Sequence, residues 1–359
     1  MLDPRRILLV RLSHLGDVVH ALGVFHALHA AYPAAEIGWA IQREFAELVT
    51  PLPGLARVLC FDRRGGPAAW LRLRRELRAF GAEWSVDAQG NAKSALVARL
   101  CGAPRRSAPA RADWQEPWAA WSANDRAPAL RPPARHALER MAQLVAHVAP
   151  GSALPLRLDA ALGPAEQEAG ERALDERLPE RGGRTVLLHL STPGDVRGWA
   201  LERWLGLVEA LRARGRGVLV LSGPSEAELG QELARRTPRA GVAHWIGQRG
   251  LRELTAVLAA AARRGLVLVA CDSGPMHLAA AHGLAVVALE GPQDAARTGP
   301  WPLAGPVSSR ETPGHRVVRA REEPPCAPCL ARRCRHPAGP VCMHGIEPEH
   351  VLAALAARE

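Results

Sequence analysis

A chain of 359 residues, 48% apolar and 23% charged, has a soluble globular composition and is too long for one ordinary core, which excludes a disordered or fibrous protein and suits two domains. Its 46 Lys and Arg against 36 Asp and Glu give a net charge of +10, but 45 of the 46 are Arg and Lys93 is the one lysine, so with the abundant Ala the basicity reads as compositional bias and not as a sign of nucleic-acid binding. No apolar run approaches the roughly 20 residues that span a bilayer, and the acidic residue in Met1-Leu2-Asp3-Pro4-Arg5-Arg6-Ile7 does not fit a secretory signal, so a cytoplasmic protein is expected.

The first run, Ile7-Leu8-Leu9-Val10-Arg11-Leu12, suits a buried parallel strand. A small polar turn, Ser13-His14-Leu15-Gly16-Asp17, follows it. Val18, Leu22, Phe25 and Leu28 then recur at helical spacing until Tyr32-Pro33 stops the helix. Further strand-then-helix units come at Glu36–Ala40, Val58–Phe61 and Trp84–Ala88, the last leading into a helix over Ala92–Leu100. Between Pro104 and Pro133 the alternation lapses into Pro, Ala and Arg with Trp114, Trp118 and Trp121 interspersed. Such a stretch reads as a long surface excursion of the kind that carries function or motion. A helix returns at His136–His147, and Ala149-Pro150-Gly151-Ser152 opens an interdomain linker.

The second half starts the pattern afresh. Strands are expected at Thr185–Leu190, Gly217–Leu221, Leu266–Ala270 and Ala285–Leu289. Helices are expected at Leu201–Arg212, Glu226–Arg236, Leu251–Ala262 and Gly274–Ala281. The alternation predicts an α/β chain of two Rossmann-like domains, residues 1–155 and 156–359. Neither half contains G-x-G-x-x-G, which argues against a dehydrogenase. Residues 1–155 carry 20 Lys and Arg against 13 Asp and Glu, a net of +7, and the remainder 26 against 23, a net of +3. The excess on the first half suits an anionic partner, a phosphorylated glycan or an anionic membrane surface, or else an Arg-rich solvated face.

Three clusters can carry chemistry. The Ser13–Asp17 turn lies at the carboxyl end of a strand, where ligands bind in open α/β sheets. Gly16 lets backbone approach a substrate. Asp17 either caps the helix it opens or acts as a general base on an attacking hydroxyl. The second cluster, His189-Leu190-Ser191-Thr192-Pro193-Gly194-Asp195-Val196-Arg197, offers small hydroxyls and a cation to a diphosphate. In the third, Cys271-Asp272-Ser273-Gly274-Pro275-Met276-His277 joins a buried strand to an Ala-rich helix. There Ser273 can cap the helix, Pro275 suits its first turn, the free N–H groups form an anion site, and His277 can donate to a phosphate.

Ser13–Asp17, Asp87-Ala88-Gln89-Gly90-Asn91-Ala92-Lys93-Ser94, Asp272–Ala280, Gly291-Pro292-Gln293-Asp294 and Arg297-Thr298-Gly299-Pro300 together resemble the motifs of the glycosyltransferase 9 family of heptosyltransferases. Asp113-Trp114-Gln115 and His136-Ala137-Leu138-Glu139-Arg140 resemble the branch that adds the first heptose to Kdo. The resemblance runs through essentially the whole chain, in order. It implies a GT-B fold, with the two domains facing each other across a cleft, and an inverting transfer from ADP-L-glycero-β-D-manno-heptose to Kdo of the lipid A-linked inner core, at the cytoplasmic face of the inner membrane. By the same resemblance Asp17 is the catalytic base. Ser191 and Thr192 hold phosphate, Glu226 holds donor hydroxyls, and Asp272, Ser273, Gly274 and His277 form the donor loop. Arg197 stands where the family commonly has Lys, which keeps the charge and changes its geometry. Ser13, Gly16 and Lys93 are assigned to the acceptor.

No D-x-D pair is placed to carry a catalytic metal, so no cofactor is expected for the reaction. Cys326, Cys329, Cys334 and Cys342 can hold a structural Zn²⁺ or iron tetrahedrally, or remain free thiols or an adventitious disulfide. Three alternatives stand beside the heptose reading: the same fold moving another sugar to a different surface glycan, a sugar-nucleotide epimerase, and a non-catalytic nucleic-acid-binding protein. The last requires basic residues on one stripe with interleaved aromatics, whereas these are spread over many helices.

Overall fold

The computed structural model describes residues 3–130, 136–152, 157–178, 185–238, 240–248, 250–301 and 314–357. The chain divides into two compact units, Met1–Ala161 and Leu162–Glu359. The division falls a little beyond residue 155 because residues 157–161 still pack on the first unit, where the Asp159 carbonyl lies 3.0 Å from His26 Nε2.

In the first unit the strands are β1 (Arg6–Val10), β2 (Glu36–Gln42), β3 (Leu55–Phe61), β4 (Trp84–Asp87), β5 (Arg105–Ala108) and β6 (Asp125–Arg126). They are joined by helices α1 (Leu15–Ala31), α2 (Ala46–Val49), α3 (Gly66–Phe80) and α4 (Ala92–Cys101), and α5 (Ala137–Val148) follows. All pairings are parallel, in the order β3-β2-β1-β4-β5-β6. Ile7, Leu8, Leu9 and Val10 are fully buried, as a central parallel strand covered on both faces requires. The helix α1 is apolar around most of its circumference, with Val18 to Phe25 buried without a break, which places it in the interior.

Residues 104–130 continue the sheet instead of leaving it. Here β5 and β6 add an edge that the sequence does not announce, since both are short and Arg-bearing. Polar contacts hold them: Arg105 Nε donates to Asp125 Oδ2 at 2.9 Å, Ser107 Oγ donates to the same oxygen at 2.6 Å, and Trp84 Nε1 donates to Ser107 Oγ at 2.7 Å. The Arg105 guanidinium also stacks 4.1 Å from the Trp84 ring.

The second unit opens with helix α6 (Pro164–Asp175) and repeats the plan with β7 (Val186–His189), α7 (Leu201–Ala213), β8 (Val218–Leu221), α8 (Ala227–Arg236), β9 (Val242–Trp245), α9 (Leu251–Arg263), β10 (Val267–Cys271), α10 (Gly274–Ala281), β11 (Ala285–Leu289) and β12 (Arg316–Val318). Its order, β12-β11-β10-β7-β8-β9, is again wholly parallel. Both units therefore share one topology, with the strand order reversing between β1 and β4 in the first and between β7 and β10 in the second. Ligands of open α/β sheets bind outside the carboxyl ends of strands at such switch points. The loops after β1, β4, β7 and β10 are the ones that hold most of the candidate residues.

Candidate active site

In the first unit the chemistry gathers on Arg11, which follows β1. It is buried, its Nη1 donates to the Ala88 carbonyl at 2.6 Å, and its own carbonyl accepts from Trp39 Nε1 at 3.2 Å. Pinned in this way, Arg11 holds Asp17 by Nη2–Oδ2 at 2.5 Å. Asp17 lies in the first turn of α1 and also accepts from the His14 N–H at 3.3 Å, so it does take part in capping while its side chain stays partly exposed. Burial by itself would raise its pKa, but the Arg11 guanidinium and the His14 contacts more than offset that, leaving the carboxyl far below the usual range. Asp17 is thus ionised throughout the physiological range. Sequence reasoning missed Arg11 because it sits inside an apolar run. The usable signal was a lone charge at a buried strand end, which needs a carboxylate near it.

The β4–α4 loop stands beside this pair. Asp87 Oδ1 accepts from the Gln89 and Gly90 N–H groups at 2.8 and 3.1 Å, and Gln89 Oε1 accepts from the Leu12 N–H at 2.7 Å. Gly90 supplies the positive φ, +73°, that this turn needs. Ser13 and Gly16 are half-buried next to Asp17, and Lys93 is exposed in the first turn of α4.

In the second unit two networks form. Thr192 Oγ1 donates to Glu226 Oε1 at 2.6 Å, and Glu226 Oε2 accepts from the Gly223 N–H at 3.0 Å. Ser191 Oγ accepts from the Trp199 N–H at 3.1 Å, which fixes the path of the β7–α7 loop. The second network centres on Arg197. Its side chain meets Asp195 through two hydrogen bonds, Nε to Oδ1 at 3.0 Å and Nη2 to Oδ2 at 2.7 Å, and reaches Asp272 Oδ2 through Nη1 at 3.2 Å. His277 Nε2 lies 3.6 Å from Asp272 Oδ1. Ser273 occupies the N-cap position of α10, but its hydroxyl makes no capping bond and is buried without a hydrogen-bond partner among the described residues. The expectation that Ser273 caps with its side chain is therefore corrected. With Pro275 in the first turn, α10 presents orphan N–H groups and the positive end of its dipole beside Arg197 and His277.

One residue here escaped sequence reasoning altogether. Glu290, directly after β11, is 1% exposed, and neither carboxylate oxygen has a hydrogen-bond partner among the described residues. Burial and the neighbouring negative Asp272 push its pKa well above the ordinary range, against the weaker pull of Arg319 and Arg197. Burial beside Asp272 favours the neutral form of this acid, which would spare the loop a second negative charge.

The four tail cysteines do not assemble into a ligand set. Cys326, Cys329 and Cys334 are exposed and Cys342 is buried, all as free thiols. Among the described residues no group of three or more His, Cys, Asp or Glu is placed to hold a metal ion. Cys342 instead packs against the loop after β11: a Cβ on Gly291 would come within 2.5 Å of Met343 Sδ and 3.1 Å of Cys342 Sγ. Burial raises the Cys342 thiol pKa, with smaller contributions from Cys329 and Cys334. Of the alternatives for these cysteines, the structure shows free thiols, three of them exposed.

Two Rossmann-like units of identical topology, with polar loops at their switch points and no dinucleotide fingerprint, have the GT-B architecture. Residues 70–335 match the glycosyltransferase family 9 (heptosyltransferase) profile, and the chain belongs to that family. It is 28% identical to lipopolysaccharide heptosyltransferase 1 of Pseudomonas aeruginosa, over 98% of this chain and 97% of that protein. Among solved structures it is similar to Escherichia coli heptosyltransferase WaaC with ADP (TM-score 0.69, 23% identity, 98% and 97% of the two chains). It is also similar to a glycosyltransferase family 9 protein of Veillonella parvula (TM-score 0.74, 19% identity, 99% and 97%). The protein is an enzyme, which sets aside the non-catalytic nucleic-acid reading. No helix among the described residues is long and apolar enough to cross a membrane.

Proposed function

We propose that the enzyme transfers heptose from ADP-L-glycero-β-D-manno-heptose to Kdo of a lipid A-linked inner core, working as a peripheral protein at the cytoplasmic face of the inner membrane. The observation that carries the mechanism is the Arg11–Asp17 pair, a carboxylate held ionised and partly exposed at the carboxyl end of the central strand.

An acceptor hydroxyl attacks the anomeric carbon from the face opposite ADP. The new C–O bond forms as the bond to phosphate breaks, the electron pair leaves with ADP, and the hydroxyl proton passes to Asp17. A carboxylate with so depressed a pKa is a weak base, but the attacking oxygen becomes strongly acidic once it bonds to an oxocarbenium-like carbon, so late proton transfer suffices. Ser13, Gly16 and Lys93 serve the acceptor. Negative charge growing on ADP is met by Ser191, Thr192, Arg197, His277 and the first turn of α10 around Ser273 and Gly274. For Arg197 to bind phosphate it exchanges part of its hold on Asp195 and Asp272. Glu226 accepts from donor hydroxyls in the way it accepts from Thr192. Side-chain charges and backbone N–H groups suffice for these steps, so no cofactor is invoked.

A second reading keeps the fold and changes the sugar. Both are tested by incubating purified enzyme with ADP-heptose, UDP-glucose, GDP-mannose or dTDP-rhamnose and Kdo–lipid A, and weighing the products. Addition of one heptose from the ADP donor alone is expected. Addition of another sugar would move the enzyme to the second reading.

A further inference from the structure

Two of the most exposed large apolar side chains lie on a single turn of the first unit. Trp118 and Trp121 are 64% and 63% exposed, on the 3₁₀ helix Pro117–Ser122. Side chains three residues apart eclipse one another in a 3₁₀ helix, so the two indoles share one edge while Ala119 and Ala120 face inward. That inner side is firmly anchored. Ala119, Ala120 and Ala123 pack with the buried Trp114 and with Ala95 of α4. Glu116 accepts from the Ala92 N–H at 2.6 Å, and Arg126 Nη1 donates to the Ala123 carbonyl at 2.9 Å. The tryptophans are therefore held outward by a fixed mount, and they do not stand there for want of a core.

Their surroundings extend the same character. On α4, Lys93, Leu96 and Arg99 recur at three-residue spacing and are all exposed, Leu96 to 45%. The Arg99 guanidinium lies 5.4 Å from the Trp121 ring centre. Arg111, in the turn just before, is exposed as well. Two acids of this region are occupied, Glu116 by the Ala92 N–H and Asp125 by Arg105 and His147, and Asp113, in the turn with Arg111, is half-buried. Residues 1–155 as a whole carry a net +7.

We propose that Trp118, Trp121 and Leu96, flanked by Lys93, Arg99 and Arg111, form a docking surface that seats the first unit on an anionic lipid bilayer. Indole rings favour the level of lipid headgroups, where the apolar ring is buried and its N–H stays wet. Each nearby Lys or Arg is drawn to anionic headgroups and loses that attraction beyond a Debye length. Two indoles and a leucine are too small a patch for a stable protein partner, which needs about 800 Å² from each side. The inference deepens the proposed function, since an acceptor carried on lipid A would be presented at such a surface. The mount also links the patch to the Asp87–Ser94 loop through Glu116 and Ala92.

The test is sedimentation with vesicles of phosphatidylglycerol and phosphatidylethanolamine, using the full chain and Trp118→Ser/Trp121→Ser. The wild type is expected to bind and to release in high salt, and the double variant to bind at least tenfold less. Brominated phosphatidylglycerol should quench part of the wild-type tryptophan fluorescence and leave that of the double variant nearly unchanged. An ADP-induced melting shift equal in both proteins shows that the variant folds. Equal vesicle binding by both proteins, or no binding by the wild type, would overturn the proposal. So would loss of a wild-type dimer in the variant, seen in sizing without lipid, because that assigns the patch to a second copy. Heptose transfer to a deacylated, soluble acceptor should be unchanged in the double variant. Failure of that reaction in the wild type would count against the catalytic reading and leave the vesicle result standing.

Discussion

The two units share one strand order and put opposite charge arrangements at the same place in it. In the first, a single guanidinium holds a single carboxylate: Arg11 is buried and Asp17 is partly exposed. In the second, two carboxylates hold a single guanidinium, with Asp195 and Asp272 around Arg197. The first arrangement leaves an ionised oxygen at the surface and the cation behind it, suited to receiving a proton. The second places a cation at the loop surface next to a helix N-terminus, suited to receiving an anion. In the proposed mechanism, proton chemistry and diphosphate binding are separated by which member of the ion pair is left outermost.

The widest separation between the units should appear in Asp17→Asn. The amide keeps the shape and removes the base, so transfer should fall by about 10²–10⁴ with ADP binding unchanged; turnover within a fewfold of wild type would remove Asp17 from the mechanism. Arg197→Ala should act on the other side. A hydrogen bond to a charged group contributes roughly 1.5–3 kcal/mol, so ADP affinity should weaken by about ten- to a hundredfold, measurable by calorimetry, and Arg197→Lys should lie between.

Arg11→Met sharpens the comparison through pH. With its partner gone, Asp17 should titrate nearer the ordinary carboxylate range, so the acid limb of kcat/KM should move up in pH. The sign for stability follows from the depressed pKa of Asp17 in the wild type. Its contribution is present above the unfolded pKa near 3.9 and is lost as pH falls below it. Arg11→Met should therefore flatten the acid side of the stability profile measured by denaturant titration.

The smallest effect belongs to Glu290→Gln. A carboxyl whose pKa is raised on folding is fully tolerated below the unfolded value near 4.3 and costs stability as pH rises above it. Gln removes that cost, so the variant should melt slightly higher at pH 7, by a gain on the order of 1 kcal/mol, and the gain should vanish by about pH 4. A melting temperature lowered at pH 7 would mean that Glu290 is ionised and paired.

Much of this arrangement was legible before any coordinates. Apolar runs such as Ile7–Val10, Val186–Leu188 and Val286–Leu289 are unambiguous as buried parallel strands, and the turns that end them carry the candidate residues. What escaped was short, peripheral or disguised. The strands β5, β6 and β12 are brief and hold Arg where a strand is expected to alternate. They exist because a neighbouring strand offers an edge and polar contacts hold them there, which periodicity does not encode. Arg11 and Glu290 each extend an apolar run by one residue, so the run conceals them, and their meaning depends on partners 77 residues away in the case of Arg11 and Ala88. Ser191, Thr192 and Glu226 could be named individually, but the Thr192–Glu226 contact depends on β7 and β8 being neighbours.

The division of labour between the two units is tested most directly by one thermal-shift experiment on wild type, Asp17→Asn and Arg197→Ala, each with and without ADP. At about 100 times the dissociation constant, a ligand bound only to the folded state adds roughly 2.7 kcal/mol. The expected result is that ADP raises the melting temperature of wild type and Asp17→Asn equally and of Arg197→Ala much less at the same concentration. An ADP response lost in Asp17→Asn and kept in Arg197→Ala would contradict the assignment of base and donor site to the two units.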